Sequence, residues 1–106
     1  MDKVLILENR DDVFKEIEQL IHQVEANLET IRFLTMEEFF KWTQALTKGV
    51  DGDRGALGPG EHVLFLVLND LMLGPQHMGL VEKLSEALKS RGKIKVDTLP
   101  VLFVGY

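Results

Sequence analysis

The sequence predicts an α/β fold in which helices cover both faces of a parallel sheet. Short apolar segments alternate with longer segments of helical periodicity along the 106 residues, which gives the order β-α-β-α-β-α-β. The two strongest apolar segments, residues 3–7 and 62–68, are nearly continuous, which is typical of strands buried on both faces. A composition of 45% hydrophobic and 27% charged residues is that of a folded domain. We therefore expect a doubly wound sheet with right-handed crossovers.

The first strand and first helix are predicted from a change in apolar spacing. Residues 3–7 form an apolar strand that the polar residues 8–12 cut off. Apolar side chains then recur at helical spacing, with charged and amide residues between them. Asp11 and Asp12 suit the positive N-terminal end of this helix, and Asn9 is a plausible N-cap. The apolar helical positions are Val13, Ile17, Leu20, Ile21, Val24 and Leu28.

The second strand and helix meet at a helix-start motif. Residues 30–34 alternate in polarity, which predicts a partly covered strand. Residues 35–38, Thr-Met-Glu-Glu, form a capping box in which the Thr35 hydroxyl and the Glu38 carboxylate each accept a backbone N–H bond. We expect the helix to end near Gly49. Its buried side is predicted to comprise Met36, Phe39, Phe40, Trp42 and Leu46, with one aromatic ring exposed.

The second half of the chain repeats the strand–helix alternation. Residues 49–60 contain five of the nine glycines and form a long loop. The strand 62–68 stops at Asn69-Asp70, and residues 99–104 form a fourth strand with a proline confined to its beginning. A third helix, ending near Gly92, lies between these strands. Its apolar positions are Leu80, Val81, Leu84, Ala87 and Leu88.

Size, charge and residue usage exclude several classes of function. The chain has room for one domain, residues 1–106. Seventeen acidic residues against twelve lysines and arginines give a net charge of −5, so nucleic acid is not an expected partner. The chain has no cysteine, which excludes disulfides and thiolate metal sites and fits a reducing compartment. Neither a signal peptide nor a membrane span is expected, so we place the protein in the cytoplasm.

The ends of the predicted strands carry the candidate site. If the strand order is 2-1-3-4, the first and third strands are neighbours, and sites in such sheets form beyond the carboxyl ends of the strands. Glu8 and Asn9 follow the first strand, Asp70 follows the third, and Gly105 follows the fourth. We expect Glu8, Asn9 and Asp70 to converge, where their oxygen atoms would suit Mg²⁺.

Three segments resemble the receiver domain of two-component response regulators, which has a flavodoxin-like fold. Residues 4–11 are similar to the family's first strand and acidic pair, with Glu8 and Asn9 where two acids are usual. Residues 63–73 resemble the third strand and the phospho-acceptor aspartate, which would be Asp70. Residues 99–106 resemble the fourth strand with its entering proline. The resemblance implies phosphotransfer from a sensor kinase to Asp70 in the presence of Mg²⁺.

The same comparison implies that several accessory groups are missing. Asn9 replaces a charged metal ligand, and Gly105 stands where the family has a hydroxyl that reads the phosphoryl group. The family's fifth strand, last helix and conserved lysine have no counterpart in this sequence. The turn 70–79 is about one residue longer than usual. One fewer carboxylate weakens the binding of Mg²⁺. The missing hydroxyl and lysine remove two donors to a phosphoryl oxygen, each a charge-assisted contact worth roughly 1.5–3 kcal/mol.

We therefore expect a degenerate receiver that is not an enzyme and acts through protein–protein contact. It would form the N-terminal part of a larger regulator, such as a regulator of transcription, and associate with a partner or itself through the fourth-strand edge. One alternative is an active receiver phosphorylated on Asp70 with Mg²⁺. The other is a small α/β ligand-binding or enzymatic domain with the 49–60 loop as a lid.

Several polar residues have simpler interpretations. Asp70 also suits a turn that follows a strand. The three histidines lie far apart, without metal-ligand spacing, and are expected to be structural or on the surface. The two serines, Ser85 and Ser90, lack the setting of a nucleophile. The histidines are His22, His62 and His77.

Overall fold

A computed structural model describes residues 2–48, 57–58, 60–69, 72 and 78–104 of the chain. Within these ranges the chain forms four strands and three helices in the predicted order. They are β1 (Lys3–Leu7), α1 (Asp11–Val24), β2 (Glu29–Phe33), α2 (Met36–Lys48), β3 (Val63–Asn69), α3 (Met78–Ser90) and β4 (Val101–Val104). Gly49, Asp70, His77, Gly105 and most of the 49–60 loop lie outside the described residues.

The four strands form one sheet, ordered β2-β1-β3-β4, in which all pairs are parallel. This arrangement confirms the predicted α/β class and the 2-1-3-4 order of a flavodoxin-like fold. Leu7 lies beside Phe33 of β2 on one side and Leu68 of β3 on the other. The carboxyl ends of the three strands therefore meet at one edge of the sheet.

Helices cover both faces of the sheet, as predicted. On one face, α2 and α3 pack on inward side chains such as Leu5, Leu7 and Leu66. On the other face, Ile21 of α1 packs against Val4, Ile6 and Val67 of the sheet, with further apolar residues around them. The side chains of β1 alternate between the two cores, so four successive residues are completely buried, which explains its continuous apolar sequence.

The start of α2 confirms the capping box, with one difference. The Glu38 N–H donates a hydrogen bond to Thr35 Oγ1 at 3.1 Å. The Glu38 carboxylate accepts from the Leu34 N–H at 2.8 Å, one residue before the cap, instead of from the first turn. The two bonds fix the direction in which the chain enters α2.

One of the three aromatic rings of α2 is exposed, as expected, and the other two pack against Phe33 of β2. The Phe33 ring centroid lies 5.2 Å from that of Phe39 and 5.7 Å from that of Trp42, and all three rings are buried. Phe40 remains 45% exposed, so its assignment to the buried side is wrong. Successive helical positions are about 100° apart, so Phe40 is turned away from the core that Phe39 enters.

The remaining differences concern the boundaries of elements. Asn9 is not the N-cap of α1, because Arg10 occupies that position in an extended conformation and makes no side-chain cap bond. Leu99 is buried but precedes β4, and its N–H donates to Ser85 Oγ at 3.0 Å. Ser85 thus has a structural role in holding the segment that enters β4. Gly92, with φ +68°, follows α3 in the left-handed conformation that favours glycine, near its predicted stop.

None of the helices in the described ranges has the length and apolar character needed to cross a membrane.

Candidate functional site

The candidate site lies at the edge where β1 and β3 end side by side. Leu7 and Leu68 are register partners, and the next residues are Glu8 and Asn69. Both polar side chains are almost completely buried, with exposed fractions of 1% and 3%. Asn69 Nδ2 donates a hydrogen bond to Glu8 Oε2 at 2.6 Å. The parallel register therefore brings together a carboxyl and an amide that are 61 positions apart.

The other polar atoms of Glu8 differ in whether they have a hydrogen-bond partner. Its N–H donates to the Phe33 carbonyl at 3.1 Å, and its carbonyl accepts from Arg32 Nε at 3.0 Å. The buried Oε1 atom, in contrast, has no hydrogen-bond partner among the described residues. A buried polar atom without a partner costs about 1–3 kcal/mol. The backbone of Glu8 is thus firmly positioned, whereas within the described part of the chain only one of its two carboxylate oxygens has a hydrogen-bond partner.

Arg32 of β2 connects this edge of the sheet to the start of α1. Its Nη1 atom lies 2.8 Å from Asp11 Oδ1, and its guanidinium lies 4.5 Å from the centroid of the Phe14 ring. Together with the bond to the Glu8 carbonyl, these contacts hold the β1–α1 turn against β2. Asp11 contributes to this ion pair in addition to its predicted position at the helix start.

The other predicted site residues are distributed differently. Asn9 follows Glu8 and is exposed at the surface. Asp70 follows Asn69 directly, but like Gly105 it lies outside the described residues. The convergence of Glu8 with Asp70 therefore stays a prediction.

Sequence reasoning missed Asn69 as a site residue. The sequence feature that could have indicated Asn69 was its position at the end of an apolar strand, one residue before the candidate phospho-acceptor Asp70. A strand-end amide becomes informative only once the neighbouring strand and its register are known.

The described residues alone do not make a complete Mg²⁺ site. They contain no group of three or more histidine, aspartate or glutamate side chains arranged to hold a metal ion. Glu8 Oε1 is a suitable oxygen, but Oε2 is already bound to Asn69, and Mg²⁺ commonly uses one or two carboxylates with several waters in an open octahedral site. A single carboxylate oxygen at a position 1% exposed does not meet that need.

The opposite, amino-terminal end of the sheet carries a set of surface ion pairs. A hydrogen bond from Lys95 lowers the pKa of Asp2, and nearby His62 acts in the same direction. A hydrogen bond to Glu29 raises the pKa of Lys3, which also pairs with Glu61 at 3.2 Å. These contacts link residues that precede or begin three strands, so they stabilise the sheet at the end away from Glu8.

The histidines in the described ranges make structural contacts. His22 Nε2 lies 2.9 Å from the Leu28 carbonyl and donates to it, which closes the end of α1 onto the following turn. His62 Nδ1 lies 3.6 Å from Asp2 Oδ1. Both environments fit the structural interpretation of these residues.

An apolar groove, the α1 groove, runs between α1 and the β3–β4 side of the sheet. It has a volume of about 310 Å³ and is lined by apolar side chains alone. These are Ile17, Leu20, Ile21, Val24, Leu28, Phe65, Val67, Leu102 and Val104. The groove lies on the face that α1 covers, and it reaches the outermost strand.

Comparison with known proteins gives no relative for this chain. No family model, curated protein or solved structure matches the sequence. The receiver resemblance therefore rests on the residues of this sequence alone, and the fold class rests on the sheet described above.

Proposed function

We propose that the chain is a receiver-like signalling domain that acts through protein–protein contact in a two-component-type regulator. The observation that carries this proposal is the buried hydrogen bond between Asn69 and Glu8. It lies at the strand ends where a receiver would bind its cation. We place this domain in the cytoplasm, where such regulators work.

Two features of the edge support the loss of phosphotransfer. Glu8 is closed off from solvent and shares its Oε2 atom with a neutral amide. Asn9, at the second acidic position of the family pattern, is exposed and carries no charge. Charge neutralisation around a transferred phosphoryl group depends on a bound cation, so both features oppose that chemistry.

An active receiver is the second candidate, and one observation favours it. Glu8 Oε1 is buried without a described partner, and the next residue after Asn69 is Asp70. In that case Asp70 would accept a phosphoryl group from a sensor kinase, with Glu8 and Asn9 holding Mg²⁺. Mg²⁺ would supply charge neutralisation at the phosphoryl oxygens.

Intact-mass spectrometry after incubation with acetyl phosphate and Mg²⁺ separates the two candidates. We expect no phosphoryl adduct that depends on Asp70, so wild type and Asp70→Asn should have unchanged masses. Asp97→Asn is the matched control, because Asp97 is exposed and lies away from the strand ends. An adduct present in wild type and Asp97→Asn, but absent in Asp70→Asn, would establish the active receiver instead.

A further inference from the structure

We infer that β4 pairs with β4 of a second copy of this chain, antiparallel and centred on Leu102. This inference rests on the proposed function and names its partner as a second copy. It is carried by the contrast between the two edges of the sheet, by the direction of the free backbone groups and by the exposed side chains of β4.

The two edge strands differ in how they are protected. β2 carries Glu29 and Arg32, which form ion pairs with Lys3 and Asp11. Charged residues on an edge strand oppose pairing with another chain. β4, Val101–Val104, contains neither a charged residue nor a proline. Of the two edges in the described sheet, the β4 edge is therefore the one without charged side chains.

The backbone groups of β4 that point away from the sheet can be assigned from its register. The Leu66 N–H donates to the Pro100 carbonyl at 3.0 Å, and Leu66 is the register partner of Val101. Because successive residues of a strand direct their polar groups to opposite sides, those of Leu102 face β3. Those of Val101 and Phe103 face outward, and no other described residue bonds to them.

This pattern is self-complementary about a two-fold axis. An antiparallel neighbour would place Val101 opposite Phe103 of the second copy, and Phe103 opposite its Val101. Each such pair exchanges two hydrogen bonds, and Leu102 faces Leu102 of the second copy as a non-hydrogen-bonded pair. The same surface then serves both copies, as a two-fold contact requires.

The exposed side chains of β4 fit the same contact. Leu102 is 53% exposed on the face of the α1 groove, and Phe103 is 50% exposed on the opposite face. Pairing would cover apolar surface on both faces of the strand at once. The charge of each chain is −5, but neither β4 nor the lining of the α1 groove carries a charged side chain. The contact therefore brings no like charges directly together.

Sedimentation equilibrium of the whole chain over a concentration series tests this pairing. We expect wild type to form dimers. The dissociation constant of the dimer should be at least about tenfold higher for Leu102→Lys, because like charges would then face each other. Gln19→Lys is the control, since it adds the same charge at an exposed position of α1 outside the groove. Mixing Leu102→Lys with Leu102→Glu should restore dimers.

A single-cysteine variant tests the register independently. The chain has no cysteine, so Leu102→Cys introduces one thiol that lies beside its counterpart in the proposed pair. Oxidation should give a covalent dimer with Leu102→Cys and far less with Gln19→Cys. Circular dichroism of each variant shows that the compared proteins are folded.

Several results would overturn the inference. These are wild type that stays monomeric at every concentration, dimers that Leu102→Lys leaves intact, or no disulfide above the Gln19→Cys level. Such results leave the proposed function with a different protein partner. Conversely, an Asp70-dependent phosphoryl adduct overturns the proposed function and leaves the edge pairing unaffected.

Discussion

Asn69 Nδ2 lies 2.6 Å from Glu8 Oε2, and this hydrogen bond joins the ends of two neighbouring parallel strands. Its partners are a neutral amide and a carboxyl group that the sheet almost completely excludes from solvent. A buried carboxylate is costly when no positive charge or full set of donors accompanies it. Among the residues that the structure describes, Glu8 Oε1 has no donor, so this arrangement has a cost in stability that can be measured.

Glu8→Gln is expected to increase the free energy of unfolding at neutral pH by about 1 kcal/mol, because it removes a half-satisfied buried carboxylate. The substituted amide keeps an oxygen that can accept the bond from Asn69. Urea unfolding measures the change, with the exposed Glu16→Gln as the control. A clear loss of stability in Glu8→Gln would show that the carboxylate itself holds the fold together.

Asn69→Ala is expected to lower the free energy of unfolding by about 2 kcal/mol, because Glu8 Oε2 then loses its donor inside the protein. The penalty should be smaller in a Glu8→Gln background, where the group left behind is neutral. A double-mutant cycle from urea unfolding gives the coupling between the two positions. Equal penalties in both backgrounds would contradict a direct interaction.

Neighbouring phenylalanines of α2 should differ sharply in their contribution to stability. Phe39→Ala is expected to cost about 3–5 kcal/mol, because this completely buried ring contacts the Phe33 ring. Phe40→Ala, at a position 45% exposed, should cost far less. The fluorescence of Trp42, the only tryptophan, reports unfolding in both variants. Similar losses for the two variants would contradict the orientation of α2.

The Asp2 carboxylate should make a pH-dependent contribution to stability. Its pKa is lowered from the ordinary value of 3.8, chiefly by the hydrogen bond from Lys95. The stabilisation is therefore complete above pH 3.8 and is lost as the pH falls through the lower pKa of the folded state. In urea unfolding, wild type should have a higher free energy of unfolding than Asp2→Asn, and this advantage should shrink as the pH falls through this acidic range. An advantage that is constant or grows toward lower pH would contradict the assigned ion pair.

The apolar pattern of the sequence was sufficient to predict a parallel sheet with helices on both faces. The 2-1-3-4 strand order, in contrast, was assumed and agrees with the resemblance to receiver domains. Completely buried strands such as β1 have a continuous apolar signal, and helices have their own spacing. The same pattern could not place Phe40, because two adjacent apolar residues of a helix point in different directions and the pattern does not show which of them faces the core. It also missed Asn69, because the role of Asn69 depends on Glu8, which follows β1 and lies 61 positions away in the sequence. Local spacing carries little information about such long-range pairs.

The helix start at Arg10 shows a second limit of sequence reasoning. Asn9 has the side chain of a good N-cap, yet α1 begins after Arg10, whose side chain makes no cap bond. Long-range contacts of Arg32 with the Glu8 carbonyl and with Asp11 hold this turn instead. A tertiary contact thus overrides a local preference.

Urea unfolding in the presence of increasing Mg²⁺ tests most directly whether the Glu8–Asn69 pair has replaced a cation site. A ligand that binds only the folded state raises the free energy of unfolding, by about 2.7 kcal/mol at one hundred times its Kd. We predict the same small response to millimolar Mg²⁺ in wild type, Glu8→Gln and Glu16→Gln. A saturable stabilisation of wild type and Glu16→Gln that Glu8→Gln abolishes would contradict this account and show that Glu8 holds Mg²⁺.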